Sequence, residues 1–338
     1  MSVVITGGLG YIGSHIVAQS SFNGDEIIIV DNLSNTTTTV LARLKKITKN
    51  PLVFYSADIR DKNALKKIFH NHNVASLVHC AGLKSVSESF SHKSLYFDNN
   101  VNGSKILFDI AINFGVKKIV FSSSAAVYGN PLSTPVNEDH PLKAESPYGQ
   151  NKIEIEMILK SLCDSNKDLA SVALRYFNPI GSHDSLLIGE NSLGTPTNIF
   201  PLICKVGLGE SSSFSIFGDD YNTLDGTCIR DYIHVQDLAD GHRSALDYCQ
   251  LNKGFKAINL GRGEGVSVKD LLTQFEIVTG NKITYHICSK RPGDPAEVFA
   301  ANSIADKMLG WKAKKTLRDM ISDGWAWEQI KSSKVVDE

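Results

Sequence analysis

Three side chains in the middle of the chain have the types and spacing needed to move a proton. Ser124 ends a run of three serines, and about 24 residues later Tyr148 and Lys152 stand four positions apart. On a helix, this spacing places Tyr148 and Lys152 on one face. A free tyrosine has a pKa of about 10 and is a poor base at neutral pH. A nearby ammonium favours the phenolate, and a serine hydroxyl can hydrogen-bond the reacting oxygen, so we predict that the three residues are catalytic.

A Tyr/Lys pair at this spacing can also be an ordinary solvated helix face, so its context decides. The chain opens with the glycine-rich segment 6–13, in which Gly7, Gly10 and Gly13 flank Tyr11 and Ile12. Such glycines allow a tight turn, a close approach to a pyrophosphate and the packing of a helix on a strand. The following helix N-terminus offers free N–H groups to phosphates. The segment therefore predicts dinucleotide binding, the alternative being a plain tight turn.

An acidic residue after the second strand distinguishes between the two nicotinamide cofactors. Asp31 stands 18 residues after Gly13, where it can accept hydrogen bonds from an adenosine ribose. Its charge would repel a 2′-phosphate, and the nearest basic residue after it is Arg43. NAD is therefore favoured over NADP. Asp58 and Ile59, after the third strand, could contact the adenine, although a structural loop acid fits almost as well.

Alternating elements are needed to position these residues. Strands are predicted at 3–6, 27–30, 53–56, 77–80 and 119–122, and helices near 11–22, 37–49, 61–72, 93–114 and 147–163. Nearly continuous apolar strands between helices indicate a parallel sheet covered on both faces. Ser146 and Pro147 are suited to cap and begin the helix that carries the Tyr/Lys pair. The fold class is thus α/β, with a Rossmann-type doubly wound parallel sheet.

The alternation ends near residue 178, which sets the expected domain boundary. Residues 181–228 are rich in Gly, Ser, Asn, Asp and Pro, whereas 229–260 again read as strand, helix and strand. We predict an NAD-binding domain over 1–178, to which 229–260 return. Residues 179–338 are expected to form mainly a smaller, interleaved C-terminal α/β domain that binds the substrate. The length of 338 residues suits two domains.

Composition excludes several classes of function. The net charge of −1 gives no global field for nucleic acid or an anionic membrane. No apolar run reaches the roughly 18 residues of a membrane span. The six cysteines lack the spacing of a disulfide scaffold or zinc site, and neither the 70–72 His-Asn-His pair nor the acidic 219–226 loop has a suitable ligand set. We expect a cytoplasmic, soluble protein without a metal.

Taken together, the motifs resemble the extended short-chain dehydrogenase/reductase family, and within it the UDP-hexose 4-epimerases. The resemblance covers nearly the whole chain and rests on residues 6–15, 31–33, 81–84, 98–103, 122–124, 146–152, 175–179 and 230–241. It implies a tightly held NAD that is regenerated in each turnover, a 4-keto sugar intermediate and a homodimer. The implied reaction interconverts UDP-galactose and UDP-glucose.

The resemblance also implies a role for each catalytic residue. Tyr148 would remove the proton of the sugar 4-hydroxyl while a hydride leaves C4. Lys152 would hold the cofactor ribose and lower the pKa of Tyr148, and Ser124 would orient the 4-oxygen. The implied cofactor site comprises Gly7, Gly10, Tyr11, Ile12, Gly13, Asp31, Asn32, Asp58, Ile59, Ala81, Gly82, Lys84, Asn99, Ser122, Tyr148, Lys152 and Tyr176.

The same resemblance implies a UDP-sugar site in the second half of the chain. Asn178, Arg230 and Arg291 would contact the diphosphate, a task suited to the guanidinium fork of arginine. Asp294 would accept a ribose hydroxyl. The uracil pocket would be lined by Asn198, Ile199, Ser215, Ile216 and Phe217, and the remaining substrate contacts would come from Lys84, Ser124, Tyr148 and Val298.

Val298 is a departure from the pattern of some relatives, in which a bulky tyrosine narrows the sugar pocket. A smaller side chain would leave room for a 2-acetamido group, so UDP-GlcNAc and UDP-GalNAc are expected as further substrates, unless Val298 only packs. A nucleotide-sugar dehydratase or decarboxylase on the same fold is the main alternative. Residues 124–126, Ser-Ala-Ala, lack the carboxylate that a dehydratase would use. A catalytically silent NAD-binding regulator would be expected to lack Tyr148 or Lys152.

Overall fold

A seven-stranded parallel sheet forms the larger part of the molecule. The computed structural model describes residues 2–19, 25–194, 196–291 and 293–335. The strands of this sheet are β1 (Ser2–Thr6), β2 (Glu26–Asp31), β3 (Leu52–Ser56), β4 (Val74–His79), β5 (Lys118–Ser122), β6 (Ala170–Tyr176) and β10 (Gly254–Leu260). Their spatial order is β10-β6-β5-β4-β1-β2-β3. The order in which strands are added to the sheet reverses between β1 and β4, although the two strands are parallel. Open α/β sheets bind ligands at such a topological switch point.

The strands form because their side chains are apolar on both faces. All five residues of β1 are buried, and Val4 and Ile5 are fully buried on opposite sides of the sheet. Val4 belongs to a core cluster with Ile28 and Leu77, whereas Ile5 packs in a second cluster with Val120. Burial on both faces is the arrangement expected for a parallel sheet between two helical layers. The five strands predicted for this half are confirmed to within three residues at their ends.

The helices of the first half agree with the predictions except that a short helix at Val86–Ser91 is not among those predicted and the helix predicted over 93–114 is interrupted. They are α1 (Tyr11–Ala18), α2 (Thr39–Ile47), α3 (Lys62–Asn71), α4 (Val86–Ser91), α5 (Lys93–Tyr96), α6 (Gly103–Asn113) and α7 (Pro147–Ser165). The single helix predicted over 93–114 is wrong in detail, because a π-helical segment at Phe97–Asn102 separates α5 from α6. Residues 20–22 of the first predicted helix lie outside the described residues.

The second half adds two small sheets and the remaining helices. These elements are β7 (Asn178–Ile180), α8 (Ile199–Gly207), β8 (Phe214–Phe217), β9 (Ile229–His234), α9 (Val235–Leu251), β11 (Gly265–Ser267), α10 (Val268–Thr279), β12 (Tyr285–Cys288), β13 (Glu297–Val298), α11 (Ser303–Leu309) and α12 (Leu317–Val335). Strand β9 pairs with β7, β11 and β13, and β8 pairs with β12.

The segment 229–260 is divided between the two halves. Its first strand, β9, lies in a small sheet, whereas α9 packs against α1, β5 and β6, and β10 pairs with β6 at the edge of the main sheet. The helix and the last strand thus belong spatially to the first half. The strand at 229–234 does not, because it pairs with strands of the second half.

Within the described ranges of the chain, no helix is long and apolar enough to cross a membrane. No group of three or more His, Cys, Asp or Glu side chains in that part of the chain has an arrangement that could hold a metal ion.

Candidate active site

Helix α7 places the predicted acid–base pair inside the protein. Ser146 caps the helix by accepting a hydrogen bond from the backbone N–H of Gly149 at 3.1 Å, and Pro147 is the first helical residue. The cap fixes where the helix starts and therefore which face turns inward. Tyr148 and Lys152 are both buried on that face, with exposures of 8% and 6%. The predicted pair is therefore not a solvated helix face.

Lys152 is held against the end of β5. Its ammonium donates a hydrogen bond of 2.7 Å to the carbonyl oxygen of Ser122 and lies 4.6 Å from the ring centre of Phe121. Burial lowers the pKa of Lys152 to about 8, against the opposing effects of Cys80 and Glu156, because desolvation disfavours the charged form. At neutral pH the ammonium form still prevails, and its other two N–H groups can serve a ligand.

Tyr148 lies between Lys152 and Ser124. The Lys152 nitrogen is 5.6 Å from the centre of the tyrosine ring. Burial raises the pKa of Tyr148 to about 12, and a hydrogen bond with the Ser124 side chain acts in the opposite direction. The expected lowering of this pKa by Lys152 is not found in the protein alone, because desolvation of the phenol is the larger effect.

The glycine turn has the shape of a phosphate cradle. Gly7 has φ +66°, and a Cβ on it would lie 2.7 Å from the backbone nitrogen of Ala81. A Cβ on Gly13 would lie 2.1 Å from the carbonyl oxygen of Gly7, so both positions require glycine. Gly10 is the N-cap of α1. The turn therefore leaves the first N–H groups of α1 free of side-chain obstruction.

Residues around this turn are fixed by contacts between distant parts of the chain. The Tyr11 hydroxyl donates to the carbonyl oxygen of Gly181 at 2.7 Å, and Ile12 packs on the main core. Asp31 is 8% exposed, and its carboxylate accepts hydrogen bonds from the backbone of Leu9 and Leu33. Each carboxylate oxygen has a further lone pair, so Asp31 can still accept a ribose hydroxyl.

Asp58 has a structural partner that the sequence did not indicate. Its carboxylate binds the guanidinium of Arg60 at 2.9 Å and the amide of Asn32 at 3.0 Å, and Arg60 also binds Asp98. Arg60 holds the pKa of Asp58 at about 2. Ile59 is buried in the core beneath. Contact of Asp58 and Ile59 with adenine stays a prediction.

The π-helical segment supports the loop at 81–84. Asn100, which lies in that segment, accepts the backbone N–H of Leu83 at 2.8 Å and donates to the carbonyl oxygen of the same residue at 3.0 Å. The neighbouring Asn99 is buried and donates to Asn100. A single turn of π-helix often occurs at functional sites. Here it positions the loop that contains Ala81, Gly82 and Lys84.

The predicted diphosphate and ribose ligands of the second half meet at β9. Arg230 binds the Asp294 carboxylate at 2.8 Å and donates to the carbonyl oxygen of Pro295. The adjacent Asp231 is fully buried and accepts hydrogen bonds from the backbone of Gly263 and Ala300, which fixes the strand next to β13. Burial raises the pKa of Asp231 to about 6.

The residues 215–217, which are predicted to line the uracil pocket, lie on strand β8, where successive side chains point to opposite faces. The guanidinium of Arg291 lies 3.7 Å from the ring centre of Phe217, and Ser215 contacts His286. Ile216, between them, is 1% exposed and packs in the core. The Ile216 side chain therefore turns into the core, since residues two apart on a strand share a face and the middle one points away, and contact of the run 215–217 with uracil stays a prediction.

The remaining predicted site residues lie on the same edge of the sheet or close to it. Asn178 begins β7, two residues after half-buried Tyr176 at the end of β6. Ser122 hydrogen-bonds His242 at 2.8 Å. Val298 is buried in a cluster with Phe177 and other apolar side chains.

Sequence reasoning missed a buried ion pair behind the acid–base pair. Glu156, one turn after Lys152 on α7, binds the Arg175 guanidinium at 2.6 Å and accepts the Ser123 hydroxyl at 2.5 Å. Arg175 also donates to Tyr128 at 3.1 Å. The pair connects α7 to the ends of β5 and β6. A carboxylate four residues after Lys152 was the available signal.

A second missed residue, Glu190, lies between two predicted ligands. Its carboxylate binds the Asn198 amide at 2.5 Å and the Lys84 ammonium at 3.3 Å. No pattern in the sequence around Glu190 connects it with Lys84, which lies 106 residues away in the chain.

Comparisons with known proteins agree with this geometry. The model of the NAD dependent epimerase/dehydratase family matches residues 3–261. A UDP-glucose 4-epimerase of Bacillus subtilis is 45% identical over 97% of both chains. Among solved structures, a UDP-glucose-4-epimerase from Stenotrophomonas maltophila with bound NAD and formylated UDP-arabinopyranose has a TM-score of 0.96 and 43% identity, over 99% of both chains.

A third similar protein bears on the sugar. The UDP-Glc/GlcNAc 4-epimerase of Campylobacter jejuni has a TM-score of 0.85 and 33% identity, over 97% of this chain and 99% of that one. The family match, the glycine cradle and the Ser124-Tyr148-Lys152 group lie in the same part of the fold. The chain belongs to the NAD dependent epimerase/dehydratase family.

Proposed function

We propose that this chain is an NAD-dependent UDP-hexose 4-epimerase that interconverts UDP-galactose and UDP-glucose. The observation that carries the proposal is the meeting of half-buried Ser124 with buried Tyr148 and Lys152 at the end of β5. This arrangement is suited to taking a proton from a secondary alcohol. The similar structure that holds NAD and a UDP-linked sugar supports the same ligands here.

NAD fits the residues present. Neighbouring backbone lies so close to Gly7 and Gly13 that only glycine fits at these positions, as a pyrophosphate cradle needs. Asp31 is suited to bind the adenosine ribose. Arg43, the nearest basic residue after Asp31, lies over the Trp327 ring at 5.6 Å. When bound, NAD supplies the chemistry that removes a hydride from C4 of the sugar and returns it to the opposite face.

The chain's own residues handle the proton. Tyr148 acts as the phenolate, whose oxygen accepts the proton of the sugar 4-hydroxyl and later returns it to the 4-oxygen, so Tyr148 ends each turnover as the phenolate it began as. The Ser124 hydroxyl hydrogen-bonds the 4-oxygen and fixes its distance from Tyr148. The Lys152 ammonium lies beside the tyrosine ring and stabilises negative charge on the phenol oxygen.

The second half of the chain is proposed to bind UDP. Arg230 and Arg291 supply positive charge for the diphosphate, with Asn178 beside them, and Asp294 accepts a ribose hydroxyl. The Arg291 guanidinium stacks on the Phe217 ring, so a proposed diphosphate ligand lies beside the proposed wall of the uracil pocket. This assignment supports division of the chain into an NAD-binding half and a UDP-sugar-binding half, with α9 and β10 returning to the first.

We further propose that the enzyme accepts UDP-GlcNAc and UDP-GalNAc. The small side chain of Val298 lies in a cluster with Phe177 and Ala125, and Ala125 follows Ser124 in the chain. The similar Campylobacter jejuni protein acts on both UDP-Glc and UDP-GlcNAc by its name. A valine in place of a bulkier residue leaves volume for the acetamido group.

A homodimer is proposed from one apolar surface. Exposed apolar side chains occur on neighbouring elements, namely Val86, Phe90, Leu95, Phe97 and Met157. A patch of this kind is typical of a protein interface, and a twofold dimer is the commonest assembly. Phe97→Glu should convert the dimer to monomers in sedimentation velocity, and an unchanged sedimentation coefficient would contradict this choice of surface.

The expected setting is the cytoplasm, and the six unpaired cysteines support a reducing compartment.

One experiment tests the central proposal. Purified protein is incubated with UDP-galactose and no added cofactor, and the sugar is followed by NMR. Formation of UDP-glucose is the expected result and also requires NAD to be bound already. A deoxy-keto or decarboxylated product would contradict the proposal and favour related chemistry on the same fold. Conversion only after NAD is added would contradict tight cofactor retention.

A further inference from the structure

Glu190 lies where the two halves of the proposed ligand cleft meet. One carboxylate oxygen, Oε1, accepts a hydrogen bond from the Asn198 side-chain amide at 2.5 Å and binds the Lys84 ammonium at 3.3 Å. Lys84 follows β4 in the first half, and Asn198 is the N-cap of α8 in the second. The side chain of Glu190 is only 13% exposed. A single oxygen therefore joins the two halves.

The contact determines what each partner can offer a ligand. Because the side-chain nitrogen of Asn198 faces Glu190, the oxygen of the same amide points elsewhere and is available to accept a hydrogen bond. The Lys84 ammonium has three N–H groups, of which one is directed at Glu190 and two remain. The arrangement thus presents an acceptor from one half of the chain and donors from the other.

The main chain of Glu190 is held from the C-terminal helix. The indole N–H of Trp327, on α12, donates to the Glu190 carbonyl oxygen at 3.0 Å. Gly189 allows this approach, because a Cβ at that position would lie 2.5 Å from the Trp327 ring. A β-bridge between Ser182 and Gly189 closes the preceding loop. The carboxylate is therefore mounted on a fixed backbone.

We propose that Glu190 is a positioning residue for the nucleotide sugar, setting the orientation of Asn198 and the place of Lys84, with Trp327 fixing Glu190 in turn. The proposal deepens the epimerase assignment and rests on it. It predicts that these groups recognise a part of the ligand with both hydrogen-bond donors and acceptors. Sugar hydroxyls and the uracil edge have this property, whereas a bare diphosphate supplies only acceptors. We assign the contact to the sugar rather than to the uracil that the resemblance implies for Asn198, because Lys84 belongs to the half of the chain that carries Tyr148.

The test compares Glu190→Gln and Trp327→Phe with the wild-type holoenzyme. Glutamine keeps the shape and one acceptor oxygen but removes the charge that holds the Lys84 ammonium, so KM for UDP-galactose should rise about tenfold, as expected for loss of a charged hydrogen bond. kcat should change by less than about threefold. Trp327→Phe should raise KM in the same direction by a smaller factor. Trp325→Phe is the matched control, because that ring lies two residues away and packs on Phe275.

A direct binding measurement separates this proposal from the assigned reaction. Calorimetry on each protein in a Tyr148→Phe background, in which turnover is slow, gives the Kd of UDP-glucose and of UDP, and Glu190→Gln should weaken the binding of UDP-glucose more than that of UDP. If the wild type binds UDP-glucose without epimerising it, the reaction assignment fails while the Kd comparison still tests Glu190. A KM and Kd within twofold of wild type, or loss of bound NAD from Glu190→Gln, would overturn the positioning role. Equal effects of Trp325→Phe and Trp327→Phe would remove Trp327 from it.

Discussion

The Lys152 ammonium donates to the carbonyl oxygen of Ser122, two residues before Ser124, at 2.7 Å. This hydrogen bond joins helix α7 to the end of strand β5 at the level of the proposed reaction. The same lysine therefore supplies positive charge and fixes the spacing between the serine and the tyrosine. Its replacement is expected to affect both.

The pH dependence of turnover should report the ionisation of Lys152. Burial lowers its pKa to about 8, so the ammonium is present below that pH and is lost above it. Because Tyr148 must be deprotonated and Lys152 protonated, we expect kcat/KM to rise with pH below about 8 and to level off above it. Lys152→Arg should keep rising through about pH 9, because arginine stays protonated, even if the absolute rate is lower. Lys160→Arg, an exposed change on the same helix, is the control; a wild-type profile that keeps rising up to pH 9 would contradict the prediction.

Tyr148→Phe should remove the proton acceptor and leave the cofactor site intact. Loss of a general base typically lowers turnover by about 10²- to 10⁴-fold, so kcat should fall within that range. Bound NAD, measured after denaturation of the protein, should equal the wild-type content. Tyr285→Phe, an exposed tyrosine, should have no effect. Full activity of Tyr148→Phe would show that another group takes the proton.

Glu156→Gln should destabilise the fold. The change leaves the buried Arg175 guanidinium without its partner, which costs about 3–5 kcal/mol in comparable buried pairs. Urea unfolding should therefore give a lower free energy of unfolding, whereas Glu154→Gln, two residues away, should have little effect. Ser123→Ala removes one hydrogen bond and keeps the ion pair, so it should be milder. A wild-type unfolding midpoint for Glu156→Gln would contradict this account.

Val298→Tyr should change substrate preference. A tyrosine ring beside Phe177 would fill the volume that an acetamido group needs, so the ratio of UDP-GalNAc to UDP-galactose activity should fall by about tenfold or more. Taking the ratio corrects for any general loss of activity from overpacking. Val298→Ile, which adds one methylene, should retain most of the ratio. An unchanged ratio in the tyrosine variant would make Val298 a packing residue only.

The strands and the acid–base pair could be predicted because local patterns encode them. The buried run of β1 and the four-residue spacing of Tyr148 and Lys152 need no knowledge of distant residues. The pKa of Tyr148 could not be predicted in this way, because it depends on how completely the phenol is desolvated. For the run 215–217, the two-residue period of a strand already predicts that the Ile216 side chain turns away from the face shared by Ser215 and Phe217.

Other features depend on contacts that only the folded chain provides. Glu190 meets Lys84 and Asn198 across 106 and 8 residues of sequence. The π-helical segment interrupts a stretch whose apolar residues resemble one continuous helix, and its purpose is visible only where Asn100 meets the backbone of Leu83.

The position of β10 has a consequence for synthesis of the protein. Strand β6 is central in the finished sheet, between β5 and β10, but β10 is made about 80 residues later. Until residues 254–260 leave the ribosome, the nascent chain therefore has an apolar, unpaired strand edge at β6. Open edges of this kind can pair with other chains. A truncated protein that ends near residue 178 should accordingly aggregate rather than form an independent cofactor-binding unit.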